Sequence, residues 1–232
     1  VIDYALLESC VRDYLNENAD RAMAVLRPLK VVIDNYPEGK VEEIEVDVNP
    51  NKPELGKTKV TFSREIYIEQ DDFMLEPIGK YFRLCPEKEV RLKGAYFVKY
   101  ASCECDEDGN ISVVHCTYDP ETRGGDAPDG RKVKGTIHWL SAKNAKETTL
   151  HICEQLTTLE NPSELPEDKT YTDFLNPASL KVVKGALVEA SVSDCAPGEK
   201  FQFVRDGYYV KDTKHENTFN RVVGLKDSFP KK

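Results

Sequence analysis

With 232 residues, 40% of them hydrophobic and 31% charged, the chain can bury one large core or two small ones, which excludes a disordered tail. No apolar run approaches the ~18 residues of a membrane-spanning helix, and the opening VIDYALLESC is acidic where a secretory leader would be basic. A formal net charge of −9 excludes a broad, sequence-independent nucleic-acid binder and leaves open only a confined positive patch.

The first predicted element is a helix. Ile2, Leu6, Leu7, Cys10, Val11, Tyr14 and Leu15 recur at helical spacing and form one apolar stripe. ENADRAMAV predicts a second short helix, with Asn18 or Asp20 as its cap. The period then changes, and LKVVIDNYPEGKVEEIEVD reads as two strands joined in a hairpin around Pro37 and Gly39. In KVTFSREIYI, the residues Val60, Phe62, Ile66 and Ile68 share a face. VRLKGAYFVKY reads as a further strand, with Val90, Leu92, Tyr96 and Val98 alternating against Arg91, Lys93, Phe97 and Lys99. Side chains two apart on a strand lie roughly 6.6 Å apart on one face. Two cations and a ring so spaced suit an extended sugar–phosphate chain with unpaired bases.

Strands continue to the end. AYFVKYASCEC and ISVVHCTYD flank a hairpin loop with Asp108-Gly109 at its tip, and FQFVR and YYVKD flank a two-residue turn at Asp206-Gly207. TTLHICEQLTTL, ASLKVVKGALVEASV and FNRVVGL complete the pattern, while the turn-rich stretches Asp119 to Gly130 and Glu160 to Thr170 are candidate boundaries. Short strands at close spacing predict an all-β chain of barrels or sandwiches rather than a doubly wound sheet.

The seven cysteines form no regular framework and read as reduced thiols of a cytoplasmic protein. Cys103 and Cys105 precede a hairpin turn that His115 and Cys116 follow, a thiol and imidazole set suited to zinc. Strand alternation lets at most three of these converge, so the reading preferred is half-buried strand residues and no metal. There is no Gly-rich phosphate loop, GxSxG elbow or HExxH helix, and no catalytic residue is assigned.

ENADRAMAVL, FSREIYIEQDDF, VRLKGAYFVK, DGRKVKGTIHWL, KFQFVRDGYY and FNRVVGLKD, in this order and over nearly the whole chain, resemble the carboxy-terminal half of the glutaminyl-tRNA synthetase family. The resemblance implies two small packed β-barrels behind a short N-terminal helical connector. Their limits fall near 1–24 for the connector, 25–136 for the first barrel and 137–232 for the second, with the chain crossing between barrels. It implies a partner, the anticodon loop of glutamine tRNA, whose bases are splayed into separate pockets. The matching base-contacting positions are Arg21, Arg83, Arg91, Lys93, Gln202 and Arg205. Lys132 and Lys134, with His138 on the same strand face, are backbone-contact candidates. ATP and magnesium belong to the family's N-terminal catalytic domain, whose His-x-Gly-His and Met-Ser-Lys signatures are not in this sequence. The chain is therefore expected to be a catalytically silent, monomeric fragment without a cofactor, and its opening on Val1 rather than Met agrees with a piece of a longer polypeptide.

Each position also has a purely structural reading. Arg21 can pair with Glu17, Arg83 can stack on Tyr81 and Phe82, and Arg205 can pair with Asp206. Arg91 and Lys93 suit a solvated strand face, Gln202 an outward strand position, and Lys132 with Lys134 a solubilising edge strand. Lys93 and Phe82 depart from the family pattern: lysine is a point charge where relatives have a fork, and Phe82 offers stacking where relatives have a cation. The alternatives are a related glutamyl-tRNA synthetase, which shares the barrels, and a non-catalytic barrel protein that binds ribosomal RNA.

Overall fold

The computed structural model describes residues 4–124, 126–159 and 165–226. One helix, α1 (Tyr4–Asn18), precedes a mostly β chain. The strands are β1 (Asp20–Ala22), β2 (Ala24–Val25), β3 (Pro28–Ile33), β4 (Val41–Asp47), β5 (Lys57–Ser63), β6 (Glu65–Glu69), β7 (Glu89–Leu92), β8 (Phe97–Cys105), β9 (Ile111–Asp119), β10 (Thr136–Ile137) and β11 (Leu140–Ser141). After them come β12 (Lys146–Cys153), β13 (Leu180–Val188), the short helix α2 (Ala190–Ser193), β14 (Lys200–Phe203), β15 (Gly207–Lys211) and β16 (Thr218–Gly224).

The strands form two seven-stranded sheets and a two-stranded ribbon, β4-β5. The first sheet runs β10-β7-β8-β9-β3-β6-β11 and the second β1-β14-β15-β16-β12-β13-β2. Chain length forces both to curl. Only Met23 separates β1 from β2, which are the two edges of the second sheet, and only His138 and Trp139 separate β10 from β11, the edges of the first. Consecutive Cα atoms are about 3.8 Å apart, so each sheet must bring its edges together. Both are barrel-like, which agrees with the two barrels expected from the sequence. Residues 20–25 pair in the second sheet, residues 28–141 build the first, and residues 146–224 return to the second.

Alternation decides what each barrel buries. Leu29, Val31 and Ile33 of β3, with Ile66 and Ile68 of β6, point into a core that also holds Phe62, Leu92, Val98 and Trp139. Phe62 and Trp139 meet edge to face at 4.9 Å. The second core gathers Ala22, Ala24, Leu150, Val188, Phe203, Tyr209 and Phe219 around a stack of Phe203 on Tyr209 at 4.5 Å. Leu15 of α1 is buried with Tyr208 and Val223, whereas Leu6, Leu7 and Tyr14 are exposed; Ile2 lies outside the described residues.

Four local expectations are corrected. ENADRAMAV is not a second helix: α1 runs on to Asn18, and residues 20–25 are drawn into strands by a parallel pairing with β14 and an antiparallel one with β13. Here tertiary pairing overrides the helix propensity of alanine. β3 and β4 are not a hairpin, since β3 pairs with β6 and β9 while β4 pairs with β5. VRLKGAYFVKY is two strands, β7 and β8, folded back through Lys93 and Gly94, where Gly94 takes φ +71°. The turn after β14 spans Val204–Asp206, and its left-handed residue is Arg205 at φ +69° rather than Gly207. The Asp106–Asn110 hairpin loop is as expected, pinned by N–H groups of Asp108 and Asn110 on the Asp106 carboxylate.

Candidate nucleic-acid interface

Arg21, Lys93 and Gln202 are brought together across the two barrels. Arg21 on β1 is the register partner of Gln202 on β14, so the two side chains stand side by side on one face. Arg21 Nη2 donates to Asn16 Oδ1 at 3.2 Å, and the Tyr208 hydroxyl donates to the same oxygen at 3.2 Å. The pairing with Glu17 considered from the sequence is replaced by this neutral anchor, which Arg21 of β1 and Tyr208 of β15 share.

Lys93 approaches from the first barrel. Its backbone N–H donates to Ile137 O at 2.9 Å, and the Trp139 indole N–H donates to its carbonyl at 3.0 Å. A Cβ on Gly94 would stand 2.8 Å from Val46 Cγ1, so the β4 strand clamps the turn from the other side. Burial pulls the Lys93 ammonium below the ordinary lysine range, and the nearby Arg21 cation adds to the pull, against Asp47 and Glu189. Glu189 accepts the Met23 N–H at 2.7 Å, and burial pushes its carboxyl up to about 7, opposed by that hydrogen bond and by Lys93.

Arg83 and Arg205 converge on Asp72. Arg205 is not paired with Asp206; its Nη1 and Nη2 donate to the two carboxylate oxygens of Asp72 at 2.6 Å each. Burial disfavours the Arg205 charge, but its bonds to Asp72 outweigh this and hold the guanidinium more firmly protonated than usual. Arg83 does not rest on Tyr81 and Phe82. Its Nε lies 3.3 Å from Asp72 Oδ1, and its Nη1 donates to Asp71 O at 2.9 Å.

Arg91 forms a third place. Its guanidinium lies 5.3 Å from the Phe97 ring centre, and Nη2 reaches Asp126 at 3.3 Å. Phe97 is itself 1% exposed, so it supports Arg91 from below rather than offering its own face to a base. Arg131 bonds Glu89, Asp119 and Asp129, and so pins the segment carrying the two lysines to β7 and β9.

Lys132 and Lys134 are exposed, but in irregular backbone ahead of β10 rather than on an edge strand. His138 does not share their face: it is 3% exposed, with Nδ1 3.4 Å from Arg205 Nη1. The β10–β11 connection that closes the first barrel turns it inward. Lys134 sits 5.5 Å over the Phe82 ring, so a cation is supplied beside the position where the sequence itself has none. His115 is held between Asp34 and Glu104 at 2.8 and 3.0 Å, and Cys116 faces the core with its thiol pushed up to about 12 by burial, so these two do not join Cys103 and Cys105 around one point.

Sequence reasoning missed Asn16, Asp72, Glu189 and Tyr208. Nothing in EQDDF separates the buried Asp72 from its exposed neighbour Asp71; only the approach of Arg205 from the other barrel does.

Residues 19–119 and 136–212 match the two family models described as tRNA synthetases class I (E and Q), anti-codon binding domain. The chain is 51% identical over 234 residues to the glutamine–tRNA ligase of Bradyrhizobium diazoefficiens, covering 100% of this chain and 41% of that protein. The ligases of Clostridium kluyveri and Vibrio cholerae are each 48% identical, over 99% and 100% of the chain and 42% of their own length. The chain thus spans about two fifths of these relatives. The two matched domains, which agree with the two barrels, place the chain in the anticodon-binding family of the class I (E and Q) tRNA synthetases.

Proposed function

We propose that this chain is the anticodon-reading portion of a glutamine–tRNA ligase. It takes up the anticodon loop of glutamine tRNA and presents Arg21, Arg83, Arg91, Lys93, Gln202 and Arg205 to the splayed bases, with Lys132 and Lys134 on the phosphate backbone. One observation carries the reading. Among the described residues five buried side-chain polar atoms lack a partner within the protein, and three of them, Arg21 Nε, Arg91 Nε and Gln202 Oε1, belong to these six residues. A buried polar atom left unpaired costs about 1–3 kcal/mol, a cost that is removed when these side chains turn outward onto a ligand's base edges. Guanidinium forks and a carboxamide that both donates and accepts are suited to that task.

The ATP-dependent attachment of glutamine belongs to the rest of the parent enzyme, with ATP and magnesium held there and no cofactor in this chain. The names of the close relatives favour the glutamine branch over the glutamyl one. We take the chain to act as a monomer, and its seven free cysteines fit a reducing cytoplasm. Among the described residues no helix is long and apolar enough to cross a membrane. The test is the affinity of this chain for glutamine tRNA against the same tRNA with its middle anticodon base changed; equal binding overturns base reading.

A further inference from the structure

The Asp72 carboxylate is 0% exposed and ends a single turn, Gln70–Asp72, that leaves β6 of the first barrel. Two cations reach it from different barrels. Arg205, on the β14–β15 turn of the second, makes a two-pronged contact at 2.6 Å on each oxygen, and Arg83, on the first, approaches Oδ1 with Nε at 3.3 Å. A planar fork on a carboxylate fixes the guanidinium's plane as well as its position. Arg83 is fixed twice, because its Nη1 also donates to Asp71 O at 2.9 Å. The turn is itself anchored: Leu84 N–H donates to Asp72 O at 3.0 Å, and the Tyr81 hydroxyl donates to Asp71 O at 3.1 Å. Their side chains are still 43% and 30% exposed, so each arginine keeps an open edge while its inner edge is committed.

We infer that Asp72 is a positioning residue for anticodon reading: it aims Arg83 and Arg205 as a pair, so that the fit of a base at one arginine depends on the other. The inference rests on the base-contacting roles proposed above for those two residues. A simple tie between barrels, by contrast, would support every bound RNA alike. Substitution Asp72→Asn separates the two, since it keeps the shape of the side chain and removes its charge. Two cations are then left without their counter-charge, and the site attracts any RNA more strongly while aiming at none.

The experiment measures binding of the full chain to synthetic anticodon stem-loops of glutamine tRNA and to loops with one anticodon base changed. Arg83→Ala and Arg205→Ala first identify the base that each arginine reads. Asp72→Asn is expected to lower discrimination at both of those bases, each by roughly fivefold or more given the worth of a two-pronged base contact, with the changed loops bound at least as tightly as before. Unchanged discrimination, or an equal loss of affinity for every loop, overturns the inference and leaves base reading intact. If Asp72→Asn does not fold, the cycle of Arg83→Ala, Arg205→Ala and their double variant decides: coupling through one carboxylate predicts effects that depart from a simple product by about threefold or more, and independent effects overturn it. If the unaltered chain does not discriminate among the loops, base reading fails and the inference fails with it.

Discussion

Gly135 sets the distance between the segment carrying Arg83 and the strand carrying Arg91. Its carbonyl accepts the Arg91 N–H at 2.8 Å, and a Cβ placed on it would lie 1.8 Å from the carbonyl oxygen of Phe82 and 2.9 Å from that carbonyl carbon. Unstrained carbon contacts need about 3.5 Å. Gly135→Ala must therefore displace backbone, because no side-chain rotation relieves the clash. Overpacking of this kind costs about 1–3 kcal/mol, and losing the Arg91 hydrogen bond adds about 1 kcal/mol.

The shift moves Phe82 and Arg83 together, so a chain that still folds should also lose the Arg83 base contact, about 1–3 kcal/mol of discrimination. Urea unfolding followed by fluorescence of Trp139 gives the stability change, and titration with cognate and base-changed stem-loops gives the second. Gly224→Ala is the control, since a Cβ there meets nothing within 4 Å. If Gly135→Ala unfolds within about 0.5 kcal/mol of the parent, as ordinary surface changes do, and reads the loops as before, the close approach does not position Arg83.

Gln202→Ala should reduce anticodon discrimination by about 1–3 kcal/mol with little change in the salt slope of binding. Lys132→Ala should weaken binding to all loops alike and flatten the slope of log K against log salt by about 0.7, the single-strand value per phosphate contact; exchange of these two outcomes would reverse the assigned roles. Glu189 titrates higher in the folded chain, near 7, than the 4.5 of a free carboxyl. Its protonation thus stabilises the fold fully below pH 4.5, and that contribution, about 3 kcal/mol by linkage, is lost as pH rises through 7. Glu189→Gln should remove this loss, so the stability difference between parent and variant should change from pH 5 to 7 and level off above it; a constant difference would place Glu189 in water.

The family, the all-β class and most strands could be read directly from the chain. Alternation in β3, β5, β6 and β9 follows from which side chains tolerate water, and Asp106–Asn110 carries its own turn chemistry. Those are local properties of neighbouring residues. Partner choice is not local. Residues 20–25 are strands only because β13 and β14, more than 160 positions away, offer free edges. His138 is inside because the first barrel closes through it, and Asp72 is a shared counter-charge only because the second barrel delivers Arg205 to it. The residue types suited to gripping a base were written in the sequence. Their aim was decided by barrel closure and by the contact between barrels, since hydrogen-bond direction depends on atoms hundreds of bonds apart along the chain.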